Sequence, residues 1–231
     1  MVFYNREDAA LRLANRLKDR ALRDPLVLAI PRGGVIIGAV LAHELGADLD
    51  AVLSRKLRAP AQPELAIGAI SEQGQVYLNE HAEEVLGFDG SYLAEERRHQ
   101  LAEIAWRKAL YRKVRPPAPV KGRSVIITDD GIATGSTMIA ALRTTRAQNP
   151  HELIVAVPVA SPERLEEVER WCDEVVCLYA PESFWAIGQF YEDFTQVDDE
   201  QVVDLLRKFG DASKPHEAGK SQGQQLYRHR S

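Results

Sequence analysis

The stretch from residue 125 to residue 138 limits the possible folds of this chain more than any other. Its sequence, VIITDDGIATGSTM, has an apolar run typical of a buried strand, then two adjacent carboxylates, a turn of small residues and the start of a helix. Open α/β sheets bind their ligands at the carboxyl ends of such strands. The amides of a first helical turn have no partner within the helix and favour an anion. We therefore expect this loop to bind a phosphate group.

The side chains of the loop suit both ends of a ribose phosphate. Asp129 and Asp130 can accept hydrogen bonds from vicinal sugar hydroxyls or lie near a divalent cation. Gly135 lets the backbone approach an anion closely. Further hydroxyl donors come from Thr134, Ser136 and Thr137. The alternative is an ordinary strand, loop and helix in which Asp130 caps the helix, whereas a P-loop is excluded here because G-x-x-x-x-G-K-[ST] is absent.

A second unit of the same kind comes earlier in the chain. Residues 26–30 form a short apolar run that ends at Pro31-Arg32-Gly33-Gly34. Residues 35–45 are apolar on nearly every side and stop at Gly46, as expected of a buried helix followed by glycine. Taken alone, the intervening loop is equally consistent with a plain tight turn.

Together, these motifs resemble the type I phosphoribosyltransferases. The run of apolar residues, two acids and D-x-x-A-T-G-x-T is similar to their loop for phosphoribosyl diphosphate (PRPP). The match is closest to a group of uncharacterised predicted members that share the P-R-G-G loop, the segment 63–69, the D-D-G-x-A-T-G loop and F-W-A-x-G-Q-F-Y. The resemblance covers about residues 1–207. It implies an α/β fold with a mostly parallel sheet, helices on both faces, a helical insertion and a small C-terminal hood at about 180–200.

The resemblance also implies a set of PRPP-binding residues. The first loop would bind the pyrophosphate through Arg32, Gly33 and Gly34, with a cis peptide at Pro31–Arg32. The second loop would bind ribose and its 5-phosphate through Asp129, Asp130, Gly131, Ala133, Thr134, Gly135, Ser136 and Thr137. The implied cofactor is Mg²⁺, with Asp129 and Asp130 as its protein residues.

A mobile catalytic loop of the family maps to about residues 56–68. Within it, Lys56 and Arg58 are the candidate pyrophosphate contacts, and they join Asp129 and Asp130 as candidate catalytic residues. Without the resemblance, cations at a strand end are explained as well by solubility.

The densest aromatic patch, residues 184–194, resembles the base-holding hood of 6-oxopurine phosphoribosyltransferases, although core packing is the alternative. By register, Trp185 would stack on the acceptor and Glu192 would be the acid of the hood. Two departures leave the acceptor open: Ala133 stands where those enzymes carry an acid, and residues 159–161 offer no lysine. Gly131 is also unusual, since a bulkier apolar residue is common there.

Composition narrows the class of protein. With 231 residues, 45% hydrophobic and 27% charged, the chain is long enough for one globular domain with appendages. The net charge of −5 argues mildly against a nucleic-acid partner. Cys172 and Cys177 form neither a disulfide framework nor a metal site by spacing. Because no leader or membrane-spanning run is visible, we expect a cytoplasmic protein without membrane contact. The expected assembly is a homodimer.

Two further segments lie outside the motifs. Residues 91–115 predict a long helix with a basic outer side, most simply a solvated face. Its cations are Arg97, Arg98, Arg107, Lys108, Arg112 and Lys113. Residues 208–231 are polar and aperiodic, which predicts a disordered tail after a domain of residues 1–207.

The expected activity is transfer of a 5-phosphoribosyl group from PRPP to a nitrogenous base or related acceptor, with release of pyrophosphate. The alternative is a non-catalytic PRPP sensor that regulates nucleotide metabolism and could also contact RNA through the basic helix near Arg107. An interaction scaffold without chemistry is a third reading, disfavoured because the loop residues are intact.

Overall fold

A five-stranded, wholly parallel sheet forms the centre of the molecule. The structure is a computed structural model that describes residues 2–60, 62–78, 82 and 90–210, without the side chains of residues 63 and 64. In order across the sheet, the strands are β2 (Asp48–Ala51), β1 (Leu26–Ala29), β6 (Ser124–Thr128), β7 (Glu152–Val159) and β8 (Glu174–Tyr179). The fold class predicted from the sequence is confirmed.

Helices cover both faces of this sheet. Alternate side chains of a strand point to opposite faces, so Val27 and Ala29 pack in one core, whereas Leu26 and Leu28 pack in the other. The first core contains residues of α1 (Arg6–Leu17) and α2 (Gly33–Leu45). The second contains residues of α4 (Ser136–Arg146) and α5 (Pro162–Glu169), which follow the long helix α3 (Ser91–Tyr111) along the chain.

A smaller antiparallel sheet contains the segment that was mapped as a catalytic loop. Its strands are β3 (Ser54–Ala59), β4 (Gln62–Ser71) and β5 (Val76–Leu78). Residues 56–68 are therefore mostly a hairpin, and describing them as a loop was wrong. Strand pairing prevails over the proline-rich composition because Leu57 and Ile67, among others, bury their side chains in the first core.

The long helix α3 ends four residues before the predicted boundary. Arg97 and Arg98 are exposed, but the prediction of a solvated basic face is wrong for Arg112. Its Nη1 donates to Oδ1 of Asp50 over 2.6 Å, and its Nε lies 3.0 Å from Oε2 of Glu72. Arg112 is thus half-buried and paired with these two carboxylates, not solvated.

The chain ends its described part in α6 (Asp199–Gly210), three residues beyond the predicted domain boundary at 207. The rest of the predicted tail, residues 211–231, lies outside the described residues. Before α6, residues 187–190 form one turn of 3-10 helix within the predicted hood. Within the described ranges, no helix is both long and apolar enough to span a membrane.

Candidate active site

The two glycine-containing loops leave the same edge of the sheet and touch each other. Strands β1 and β6 are neighbours, and the amide of Ile30 donates to the carbonyl of Thr128 over 2.9 Å. A Cβ atom added at Gly34 would lie 2.9 Å from Cα of Asp129. One added at Gly33 would overlap Oδ2 of Asp130 and lie 2.7 Å from its Cγ. Glycine is therefore required at both positions for the first loop to reach the acidic pair.

The peptide bond between Pro31 and Arg32 is cis, as the resemblance implied. The side chain of Arg32 is about one-third exposed, and its Nη1 lies 3.6 Å from Oδ2 of Asp199.

Asp130 is held by groups that are distant in the sequence. Nε and Nη2 of Arg6, on α1, both lie 2.8 Å from Oδ2 of Asp130. The hydroxyl of Tyr191 donates to the backbone carbonyl of Asp130 over 2.7 Å. Burial, followed by the charge of Asp130, raises the pKa of Tyr191 and so keeps this phenol a donor. Sequence reasoning missed Arg6 and Tyr191, because no local pattern relates residues 124 and 61 positions apart.

Asp129 is half-buried and occupies a different environment. Its Oδ1 accepts a hydrogen bond from the amide of Asp130 over 2.8 Å. Burial raises the pKa of Asp129 well above its usual range, and the neighbouring charge of Asp130 adds to this effect. The ionised form of Asp129 is thus unfavourable until a compensating charge arrives.

The two carboxylates have the chemistry that suits a magnesium ion shared with phosphate oxygens. No group of three or more His, Cys, Asp or Glu side chains gathers as a metal site among the described residues. Mg²⁺ commonly binds through one or two carboxylates plus phosphate oxygens, so a protein cage is not needed. Arg6 contacts only one of the two oxygens of Asp130, and a cation would favour ionised Asp129.

The turn after the acidic pair presents its groups to solvent. Ala133, Thr134 and Thr137 are exposed, and Ser136 is half-buried. Gly135 has a φ of 76°, which favours glycine. The first bond of α4 runs from the amide of Ile139 to the carbonyl of Gly135, so the earlier amides of the turn have no partner within the helix.

A cavity of about 250 Å³ lies between the first loop, β3 and α3. Its wall includes Pro31, Lys56, Arg107 and Thr137. The structure thus brings Lys56 to the same region as both loops.

Arg58 does not line this cavity. Its Nε lies 2.8 Å from Oε1 of Glu96 on α3, and its Nη2 lies 3.1 Å from Oε2. Burial alone would raise the pKa of Glu96, but hydrogen bonds from Arg58 and Gln100 lower it to about 2. Glu96 therefore stays ionised and holds Arg58 against the long helix.

The predicted hood contacts the loop that carries Asp129 and Asp130, here called the acidic loop, through Ile187. A Cβ atom at Gly131 would lie 2.9 Å from Cγ2 of Ile187, which explains why this position lacks the usual bulkier side chain. The side chain of Trp185 is 88% exposed, as required of a ring that receives a ligand, but nothing in the described contacts ties it to one. Glu192 is exposed, and its amide donates to the carbonyl of Phe3.

Comparisons with known proteins identify the family of the chain. Residues 4–195 match the phosphoribosyl transferase domain. The crystal structure of TT1426 from Thermus thermophilus is similar, with 43% sequence identity and a TM-score of 0.87, over 90% of this chain and 99% of that chain. Two proteins of Mycobacterium tuberculosis, from strains CDC 1551 and H37Rv, carry the provisional name phosphoribosyl transferase. Each is 40% identical over 205 residues, which are 89% of this chain and 46% of the relative, so the chain spans about half the length of these curated relatives.

Proposed function

Because this chain belongs to the phosphoribosyl transferase domain family, we propose that it transfers a 5-phosphoribosyl group from PRPP to a nitrogen of a base or related acceptor and releases pyrophosphate. The observation that carries this proposal is the contact between the two loops. Gly33 and Gly34 lie against Asp130 and Asp129, so groups suited to a diphosphate and groups suited to a ribose share one edge of the sheet.

The donor would be bound at three points. The exposed turn of residues 133–137 would bind the 5-phosphate through the unpaired amides and hydroxyls at the start of α4. The carboxylate of Asp129 would accept hydrogen bonds from the ribose hydroxyls. The loop from Arg32 to Gly34, together with Lys56 on the cavity wall, would bind the diphosphate. We assign this role to Lys56 and not to Arg58, because Glu96 engages the guanidinium of Arg58.

The roles of the two carboxylates differ in this proposal. Asp130 is committed to Arg6, so its chief task is to fix the geometry of the acidic loop. Asp129 faces the donor and, with Asp130, would hold Mg²⁺. The metal would supply charge neutralisation on the diphosphate. That positive charge would also favour the ionised form of Asp129, whose pKa is raised by burial and by Asp130.

The chain would accelerate the reaction mainly by positioning and charge stabilisation. When pyrophosphate leaves an anomeric carbon, positive charge develops on the sugar ring, as in glycoside chemistry. The ionised carboxylate of Asp129 would stabilise this charge, and Lys56 would stabilise the negative charge on the departing diphosphate. The exposed ring of Trp185 would offer a flat face on which an acceptor base stacks.

The direct test is to incubate the 231-residue chain with PRPP, Mg²⁺ and a panel of purine and pyrimidine bases, and to follow pyrophosphate. We expect base-dependent release that Asp129→Asn abolishes. Asp204→Asn, which changes an exposed acid of α6, is the matched control and should leave release unchanged. Asp130→Asn is a poorer choice because it would leave the buried guanidinium of Arg6 without its carboxylate.

Two outcomes would change this conclusion. Binding of PRPP without pyrophosphate release for any base would favour the PRPP sensor. Unchanged release in Asp129→Asn would refute the assignment of the carboxylate. The structure disfavours the RNA contact suggested for such a sensor near Arg107. This side chain lies on the cavity wall beside Asp199 and not on an open basic surface.

A further inference from the structure

The long helix α3 contributes a cationic side chain, Arg107, to the wall of the cavity, although it belongs to neither loop. Arg107 lines the cavity together with Pro31 of the first loop and Lys56 of β3. Ile104, three residues earlier on the same helix, also lines it and is only 4% exposed, so this part of α3 is anchored in the core. Packing of the helix therefore fixes where the backbone places Arg107.

The immediate surroundings of Arg107 leave its positive charge incompletely matched. Its Nε lies 3.6 Å from Oδ1 of Asp199, and Nη1 of Arg32 lies 3.6 Å from the other oxygen of the same carboxylate. The hydroxyl of Tyr111 also donates to Asp199. One carboxylate is thus shared by two guanidinium groups and a phenol. The cluster, defined as Arg32, Arg107, Tyr111 and Asp199, carries a surplus positive charge.

A buried donor of Arg107 also lacks an acceptor. Within the described residues, its Nε is buried and makes no hydrogen bond, because the distance to Asp199 is too long for one. Buried polar groups are normally satisfied, so the 3.6 Å contact with Asp199 holds the guanidinium of Arg107 without a full hydrogen bond at Nε. The charged side chains on the cavity wall are mainly cations, namely Arg55, Lys56 and Arg107, against the single exposed carboxylate of Glu103.

We infer that Arg107 is a further binding residue for the diphosphate of the donor and for the pyrophosphate released from it, and that Asp199 and Tyr111 position it. This inference rests on the proposed function. A guanidinium matches phosphate oxygens through paired hydrogen bonds, which a lysine does not reproduce. The diphosphate would lie between the first loop and α3, with Arg32 on one side and Arg107 on the other. The long helix, and not only the two loops, thereby becomes part of the donor site.

The test is calorimetric titration of the full chain with magnesium pyrophosphate and, separately, with ribose 5-phosphate. We expect Arg107→Gln to weaken pyrophosphate binding about 10-fold, the size expected for a lost charged hydrogen bond. Arg107→Lys should fall between that variant and the wild type. Binding of ribose 5-phosphate should change much less, since Thr137 is the one residue of the turn 133–137 among the lining residues of the cavity that contains Arg107. Arg98→Gln, the same charge change at an exposed position of α3, is the matched control.

The outcomes separate this inference from the function it rests on. If the wild-type chain binds both ligands and Arg107→Gln binds pyrophosphate as tightly as the wild type, the inference fails and the proposed function stands. If Arg107→Gln loses both ligands equally, the residue is structural and the inference fails as well. If the wild-type chain binds neither ligand, the proposed function and the inference fail together. In steady-state assays the same variant should raise the KM for PRPP more than it lowers kcat.

Discussion

The packing of Ile187 onto Gly131 allows a sharp test of how the hood meets the acidic loop. In Gly131→Ala the new Cβ would lie 2.9 and 3.1 Å from two γ carbons of Ile187 and 3.0 Å from Cγ1 of Val159. Carbon atoms normally pack at about 3.5–4.0 Å, so a neighbour must move. Gly131 is not among the glycines with left-handed φ, so the effect is steric and not due to backbone strain.

The expected magnitude follows from two opposing effects. Overpacking a well-filled site costs about 1–3 kcal/mol. Replacing glycine by alanine also reduces the entropy of the unfolded chain, which offsets about 0.4–1 kcal/mol. We therefore expect Gly131→Ala to lower the free energy of unfolding by about 1–2 kcal/mol. Ile187→Ala alone, at a half-buried position, should cost about 2 kcal/mol, the low end for such truncations.

The double variant tests the coupling between Gly131 and Ile187 directly. Two of the three closest contacts of the new Cβ come from Ile187, so truncating that side chain removes most of the overlap. The two losses should then sum to more than the loss in the double variant, by about 1 kcal/mol. The assay is equilibrium unfolding in urea, with unchanged m-values as the control. Losses that add within about 0.5 kcal/mol would refute the packing argument.

Three further predictions concern the loops and the metal. Gly33→Ala should displace Asp130 from Arg6 and lower the free energy of unfolding by about 3 kcal/mol. Gly90→Ala, whose new Cβ would meet no atom of the described residues within 4 Å, should change the free energy of unfolding by less than about 0.5 kcal/mol. Equal losses for the two variants in urea would contradict this. The second prediction concerns pH. Folding raises the pKa of Asp129, so between the ordinary carboxyl pKa and the raised pKa the folded state binds more protons than the unfolded state. The free energy of unfolding of the wild type should therefore fall as pH rises through this range. The Asp129→Asn variant should not show this fall, and without ligand it should be more stable than the wild type at neutral pH. Thermal unfolding of both proteins across pH is the measurement. A variant that is less stable than the wild type at every pH would contradict the prediction. Chelation of Mg²⁺ should abolish pyrophosphate release, with recovery on adding excess Mg²⁺, and release that survives chelation would argue against the metal.

The sequence by itself determined the fold class and the family. Both depend on short-range information: apolar strands followed by glycine loops and helices, with two acids and a small turn in register over residues 125–138. The order of such local units restricts the topology to a parallel sheet, because parallel strands need crossover connections. The sequence showed that glycine is unusual at position 131, but it did not show that Ile187 of the hood packs against this position.

Tertiary structure decided which charged groups meet. The pairing of Arg6 with Asp130, the capture of Arg58 by Glu96 and the placement of Arg107 at the cavity join residues on separate elements. Periodicity shows which side chains of a helix share a face, but it does not show what lies opposite that face. An ion pair depends on the distance between two groups and on their burial, and only the folded chain fixes both.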